Sequence, residues 1–109
     1  MNYEVEKRDD HILIRCPYET VASSELESLE NIIEDVLGHN VILEMLAVRA
    51  VRNASKLEKI QSNFNKRDKS FIIIASQPLH EEMELPEGAA FSEKEALDIL
   101  EMEEIERKI

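Results

Sequence analysis

Five residues at the junction between an apolar run and a helical stretch, Val51-Arg52-Asn53-Ala54-Ser55, hold the side chains best placed for chemistry in this chain. Function in a strand–helix unit tends to gather at such a turn. Asn53 and Ser55 each offer a side-chain oxygen, and capping the helix is the simplest role for either. Arg49, Arg52, Lys56 and Lys59 surround the turn. On a helix Lys56, Lys59, Asn63 and Lys66 fall near one face, opposite Leu57, Ile60 and Phe64. A solvated face is the default for such a run, and docking of an acidic partner is the functional alternative. The amides of the helix start, helped by Arg49, Arg52 and Lys56, also suit a small anion or a nucleotide.

Other reactive residue types do not converge. His11 begins a strand-like run, His39 follows Gly38, and His80 lies in an acidic stretch. His80 and Glu84 would pair as metal ligands only on a helix. Pro78 and Pro86 leave little room for one, so solvation is expected and no metal or cofactor is assigned. Cys16 stands alone, so an internal disulfide is ruled out, and an apolar strand makes it a buried small hydrophobe. There is no Cys-x-x-Cys pair, G-x-S-x-G elbow, P-loop or H-E-x-x-H motif. Glutamates are too abundant to single out an acid–base couple. The expectation is a protein that is not an enzyme.

The elements around the turn are legible in outline. Val41–Met45 and Phe71–Ala75 are continuous apolar runs, as strands buried on both faces require. Between them Ala54, Leu57, Ile60 or Gln61, and Phe64 recur with helical period. The connection is long enough for a crossover, so the two runs are expected to be neighbouring parallel strands. Tyr3–Lys7 and His11–Cys16, joined by Arg8-Asp9-Asp10 and stopped by Pro17, suggest a hairpin. Ser24-Glu25-Leu26-Glu27 reads as a capping box for a helix bearing Leu26, Leu29, Ile33, Val36 and Leu37, with Gly38 as its left-handed stop. Gln77–Ala90 reads as a loop with a short edge strand near Met83–Leu85. Ser92 caps a last helix that packs Ala96, Leu97, Leu100 and Ile105. The expected fold is a single α/β domain over residues 1–109, a mixed sheet of four or five strands with helices packed against it. The expected order is β-β-α-β-α-β-α.

Several of these phrases resemble the STAS domains of the anti-anti-sigma-factor type. Val41-Ile42-Leu43-Glu44-Met45 is similar to that family's V-I-L-D-L strand, and Val48 and Val51 to the apolar residues of its spacer. Arg52-Asn53-Ala54-Ser55 stands where D-S-S-G opens the family's helix. Phe71-Ile72-Ile73-Ile74-Ala75 is similar to the next strand, and Phe91-Ser92-Glu93-Lys94-Glu95-Ala96-Leu97 to the closing F-x-T-x-E-E-A-L phrase. Met102-Glu103-Glu104-Ile105-Glu106-Arg107 is like the ending of small stand-alone Bacteroidetes members. The resemblance implies a bacterial regulatory module that binds an anti-sigma factor or a kinase-like protein. It also implies that the phosphoacceptor position is Ala54, which has no hydroxyl, and that Ser55 occupies the glycine position. The usual phospho-switch is then lost unless it survives, shifted by one residue, at Ser55.

Charge narrows the partner. Of a net −11, residues 1–48 and 70–109 carry −8 each, while residues 49–69 carry +5. Overall acidity disfavours nucleic acid, and the basic island suits an acidic protein surface. A second copy offering its acidic last helix is another way to satisfy the island. No apolar run approaches the roughly 18–20 residues that span a bilayer. The charged N-terminus and the lone cysteine fit a cytoplasmic setting.

Overall fold

A computed structural model describes residues 2–109. The N-terminal hairpin pairs β1 (Glu4–Lys7) antiparallel with β2 (Ile12–Arg15), Glu4 facing Arg15 and Lys7 facing Ile12. Next to β2 runs β4 (Val41–Met45), parallel, and next to β4 runs β6 (Phe71–Ala75), parallel again, giving a mixed sheet of order β1-β2-β4-β6. Strand alternation sends its side chains to two faces. Ile12, Ile14, Val41, Leu43, Met45, Phe71 and Ile73 meet Leu26, Leu29 and Ile33 of α1 (Ser23–Glu34) and Leu57, Ile60 and Phe64 of α2 (Ser55–Lys66). Phe64 stacks on Phe71 with ring centroids 5.3 Å apart. Leu13, Ile42, Ile72 and Ile74 face the other way, onto Ala96 and Leu100 of α4 (Glu93–Lys108). The parallel strands are thus covered on both sides, which is why they are apolar except for Arg15 and Glu44 near their carboxyl ends.

Two elements are too short to leave a sequence pattern. β3 (Thr20–Val21) and β5 (Ala50–Val51) pair parallel to each other as a separate two-stranded ribbon. The Arg49 amide donates to the Glu19 carbonyl at 2.7 Å, and the Arg52 amide to the Val21 carbonyl at 2.8 Å. The ribbon therefore sets the starts of α1 and α2 side by side.

Several expectations are corrected. α1 starts at Ser23, ahead of the expected Ser24 cap, and the Glu25 carboxylate, not Glu27, accepts from the Ala22 amide at 2.9 Å. Ser24 donates its hydroxyl to Glu25 instead of capping. Gly38 is not left-handed, because the helix unwinds through tight three-residue turns at Asp35, Val36 and His39. The left-handed stop belongs to α2, where Asp68 has φ +57°. Lys69 donates to Phe64 and Asp68 to Asn65, the paired bonds of a Schellman ending. Gln77–Ala90 is more than a loop, since α3 spans Gln77–Glu82. Pro78 sits in its first turn, where no amide donor is needed. Met83–Leu85 forms no strand. Ala90 takes that place at the edge of β6, donating to Ile73 and accepting from Ala75. On α4, Ala96 and Leu100 are buried as expected, but Leu97 and Ile105 point to solvent.

The amino ends of the parallel strands are joined by a polar network. Ser70 is fully buried, and its amide donates to Asn40 Oδ1 at 2.9 Å, while Asn40 Nδ2 donates to the Asp10 carbonyl. The Ser70 hydroxyl donates to Glu103 at 2.6 Å and accepts from Arg107 at 2.8 Å. These bonds fix α4 against the sheet.

Candidate functional site

The opposite, carboxyl ends of the strands carry the turn that the sequence singles out. β5 ends at Val51, which is buried, and Arg52, Asn53 and Ala54 form the turn before α2 begins at Ser55. Asn53 is left-handed, with φ +70°. An N-cap oxygen normally acts from extended backbone. Here Asn53 Oδ1 accepts instead from the Ser55 hydroxyl at 2.9 Å, and no side chain caps α2. The expected capping by Asn53 or Ser55 is therefore corrected. The two side chains hold each other, and the backbone carbonyls of Asn53 and Ala54 take the first helical bonds. Asn53 and Ser55 are both exposed, whereas Ala54 is half-buried.

The cations divide. Arg49, Arg52 and Lys59 are exposed and make no ion pair among the described residues. Lys56 differs. It lies on the flank of α2 nearer the core stripe, half-buried, with Nζ 3.4 Å from Glu30 of α1. The expected single face of Lys56, Lys59, Asn63 and Lys66 is thus a fan. Asn63 lines a groove against α1 with Ile33 and Leu37, and Lys59 and Lys66 point away from the sheet. The island also has two ends. Lys66, Arg67 and Lys69 lie at the far end of α2, about 18 Å from its start for twelve residues at 1.5 Å each. Arg49, Arg52 and Lys59 are therefore the exposed cations that flank the turn end of α2 along the chain.

Sequence reasoning missed the surroundings of Arg49. It shares a groove of about 630 Å³ with Glu19, Leu46, Val48, Pro78 and Glu82, at the carboxyl ends of β4 and β6. Leu46 is 48% exposed, although it directly follows the buried run ending at Met45. The sequence offered no direct signal, because a residue two beyond a half-exposed glutamate shares its outlook only if the strand continues. The strand ends at Met45, and the Leu46 amide turns back to donate to the Glu44 carboxylate at 2.6 Å.

The remaining titratable groups serve the fold. Cys16 is buried, and burial pushes its thiol up, away from the thiolate form that a nucleophile needs. Burial also raises the Tyr3 hydroxyl, which donates to the Glu25 carbonyl at 3.0 Å. The Ser24 hydroxyl and the Ala22 amide hold the Glu25 carboxyl below its ordinary range. His11 is buried, with Nδ1 2.7 Å from Asp10. His80 is not simply solvated as expected. It is half-buried, stacks on Phe91 at 4.0 Å, and has Nε2 3.1 Å from the Ala90 carbonyl. Glu84 lies beyond the end of α3 at Glu82, so it does not share a helix face with His80.

No helix among the described residues is long and apolar enough to cross a membrane. No protein-family model matches the chain, and no curated protein matches it either.

Proposed function

We propose that this chain is a non-enzymatic protein-interaction module of bacterial regulation, STAS-like, resembling an anti-sigma factor antagonist without the usual phosphoacceptor. It docks an acidic protein surface through Arg49, Arg52 and Lys59, with Asn53 and Ser55 between them, in the cytoplasm. The observation that carries this reading is charge pairing. Carboxylates outnumber Lys and Arg by 24 to 13, so internal partners are plentiful. Outside the island the arginines Arg8, Arg15 and Arg107 have carboxylate partners, while Lys7, Lys94 and Lys108 have no ion pair among the described residues. Within it, among the described residues, Lys56 alone is paired, and Arg49, Arg52 and Lys59 stay exposed. Exposed cations left free in an acidic protein raise the encounter rate with an acidic partner.

With Ala54 in the phosphoacceptor position, docking is constitutive or controlled by something other than that switch. Ser55 is the one hydroxyl in the turn, and it is turned toward Asn53. The test is capture from native lysate by the wild type and by the Arg49→Glu/Arg52→Glu/Lys59→Glu variant. Acidic proteins retained by the wild type should be lost by the variant. A nucleotide that binds the turn in titration, with no protein captured, would move the assignment to a small-ligand domain. Near-stoichiometric phosphate on Ser55 after incubation with an anti-sigma-type kinase would restore the switch in shifted form.

A further inference from the structure

The outer surface of α4 has a composition complementary to the basic turn. A helix that packs on one side ordinarily keeps its opposite face polar. α4 buries Ala96 and Leu100, yet Leu97, Met102 and Ile105 are 38%, 62% and 51% exposed. Leu97 and Ile105 line one groove of about 380 Å³ together with Asp10, Glu101, Glu104 and Lys108. Three carboxylates against one ammonium make this groove both apolar and acidic. An occupant suited to it brings an apolar side chain flanked by positive charge. The segment Leu46–Arg52 itself presents that mixture, Leu46 exposed beside Arg49 and Arg52 just past β5 with no acid between them, although Glu19 and Glu82 also line the groove that Leu46 and Arg49 share.

We propose that the chain self-associates head to tail, the Leu46–Arg52 segment of one copy seated in the α4 groove of the next. This rests on the reading of the turn as a docking surface and names a second copy as its acidic partner. The turn lies at the carboxyl ends of the parallel strands. Asp10, in the groove, immediately precedes His11 and β2 at their amino ends. One copy therefore cannot fill its own groove, and the contact is not reciprocal within a pair. Heterologous contacts of this kind build rings or open chains, not closed dimers. Pairing of two α4 grooves face to face would set Glu101 and Glu104 against their own equivalents, which like-charge repulsion disfavours.

Sedimentation velocity over a range of protein concentrations tests this, at about 0.1 M and about 0.5 M salt, where the screening length falls from roughly 10 Å to roughly 4 Å. The wild type should associate progressively with concentration at the lower salt and largely dissociate at the higher. Arg49→Glu/Arg52→Glu and Glu101→Lys/Glu104→Lys should each weaken association about tenfold or more, with unchanged melting curves. Mixed in equal amounts, the two variants should associate again, since a reversed turn then meets a reversed groove. A wild type that stays monomeric at the lower salt overturns the proposal, as does a mixture that fails to recover. If the monomeric wild type still captures an acidic protein of another sequence through the turn, self-association is wrong and the docking function stands.

Discussion

At the amino ends of the parallel strands polar side chains turn inward and are matched to one another, whereas at the carboxyl ends the cations Arg49, Arg52 and Lys59 turn outward with no ion pair among the described residues. Asn40, Ser70, Glu103 and Arg107 bond among themselves and to backbone, with Ser70 wholly buried. Arg49, Arg52 and Lys59 are exposed, and the turn's own hydrogen bond runs only between Ser55 and Asn53. A matched buried polar group contributes to stability, and removing its partner costs the desolvation of what is left behind. An exposed unmatched charge contributes almost nothing to stability and remains free for a second molecule. The two ends of one sheet thus separate a matched, buried network from exposed, unpaired cations.

Asn40→Leu should have the largest effect on that contrast. It strands the buried Ser70 amide and removes the tie to Asp10. The expected loss is about 1–3 kcal/mol, or roughly 4–8 °C in melting temperature for each kcal/mol. Denaturant unfolding measures it, and a loss near zero would mean that the amino-end network is decorative. Ser70→Ala comes next, at about 1 kcal/mol, because Glu103 and Arg107 keep each other at 3.6 Å.

The strands and the helix between them were readable because their apolar residues obey a period. Val41–Met45 and Phe71–Ala75 are indeed neighbouring parallel strands, and Leu57, Ile60 and Phe64 do face the core. Where a single residue was the signal, the reading went astray. Gly38 looked like a left-handed stop for α1, but the helix that ends on a left-handed residue is α2, at Asp68. Pro78 looked like a helix breaker, but it opens α3. The ribbon of β3 and β5 was invisible, since two residues carry no periodicity and their pairing is set by tertiary contacts. The cations of the turn were legible from charge alone. The pairing of Lys56 with Glu30 was not, because it depends on α1 lying beside α2. Leu46 was missed because its exposure depends on where β4 stops.

Smaller effects sharpen the same comparison. Glu25 lies at the carboxyl end of the sheet but is matched, its carboxyl held low by the Ser24 hydroxyl and the Ala22 amide. A carboxyl lowered on folding stabilises above its unfolded pKa of about 4.3, and that contribution is lost as pH falls through the folded value. Glu25→Gln should therefore lower stability at neutral pH and flatten the acid limb of the stability profile. An acid limb identical to the wild type would remove the cap from the account. Asp68→Gly relieves a left-handed non-glycine residue and should raise stability by about 0.5–1 kcal/mol.

Association kinetics with the captured partner test the role of Arg49, Arg52 and Lys59 most directly. The Arg49→Glu/Arg52→Glu/Lys59→Glu variant should melt within about 0.5 kcal/mol of the wild type, as exposed substitutions do. Its association rate at low salt should fall about tenfold or more, and the salt dependence of that rate should flatten or change sign. An unchanged association rate at low salt, with the fold intact, would show that the turn is a solvated surface and that binding lies elsewhere on the molecule.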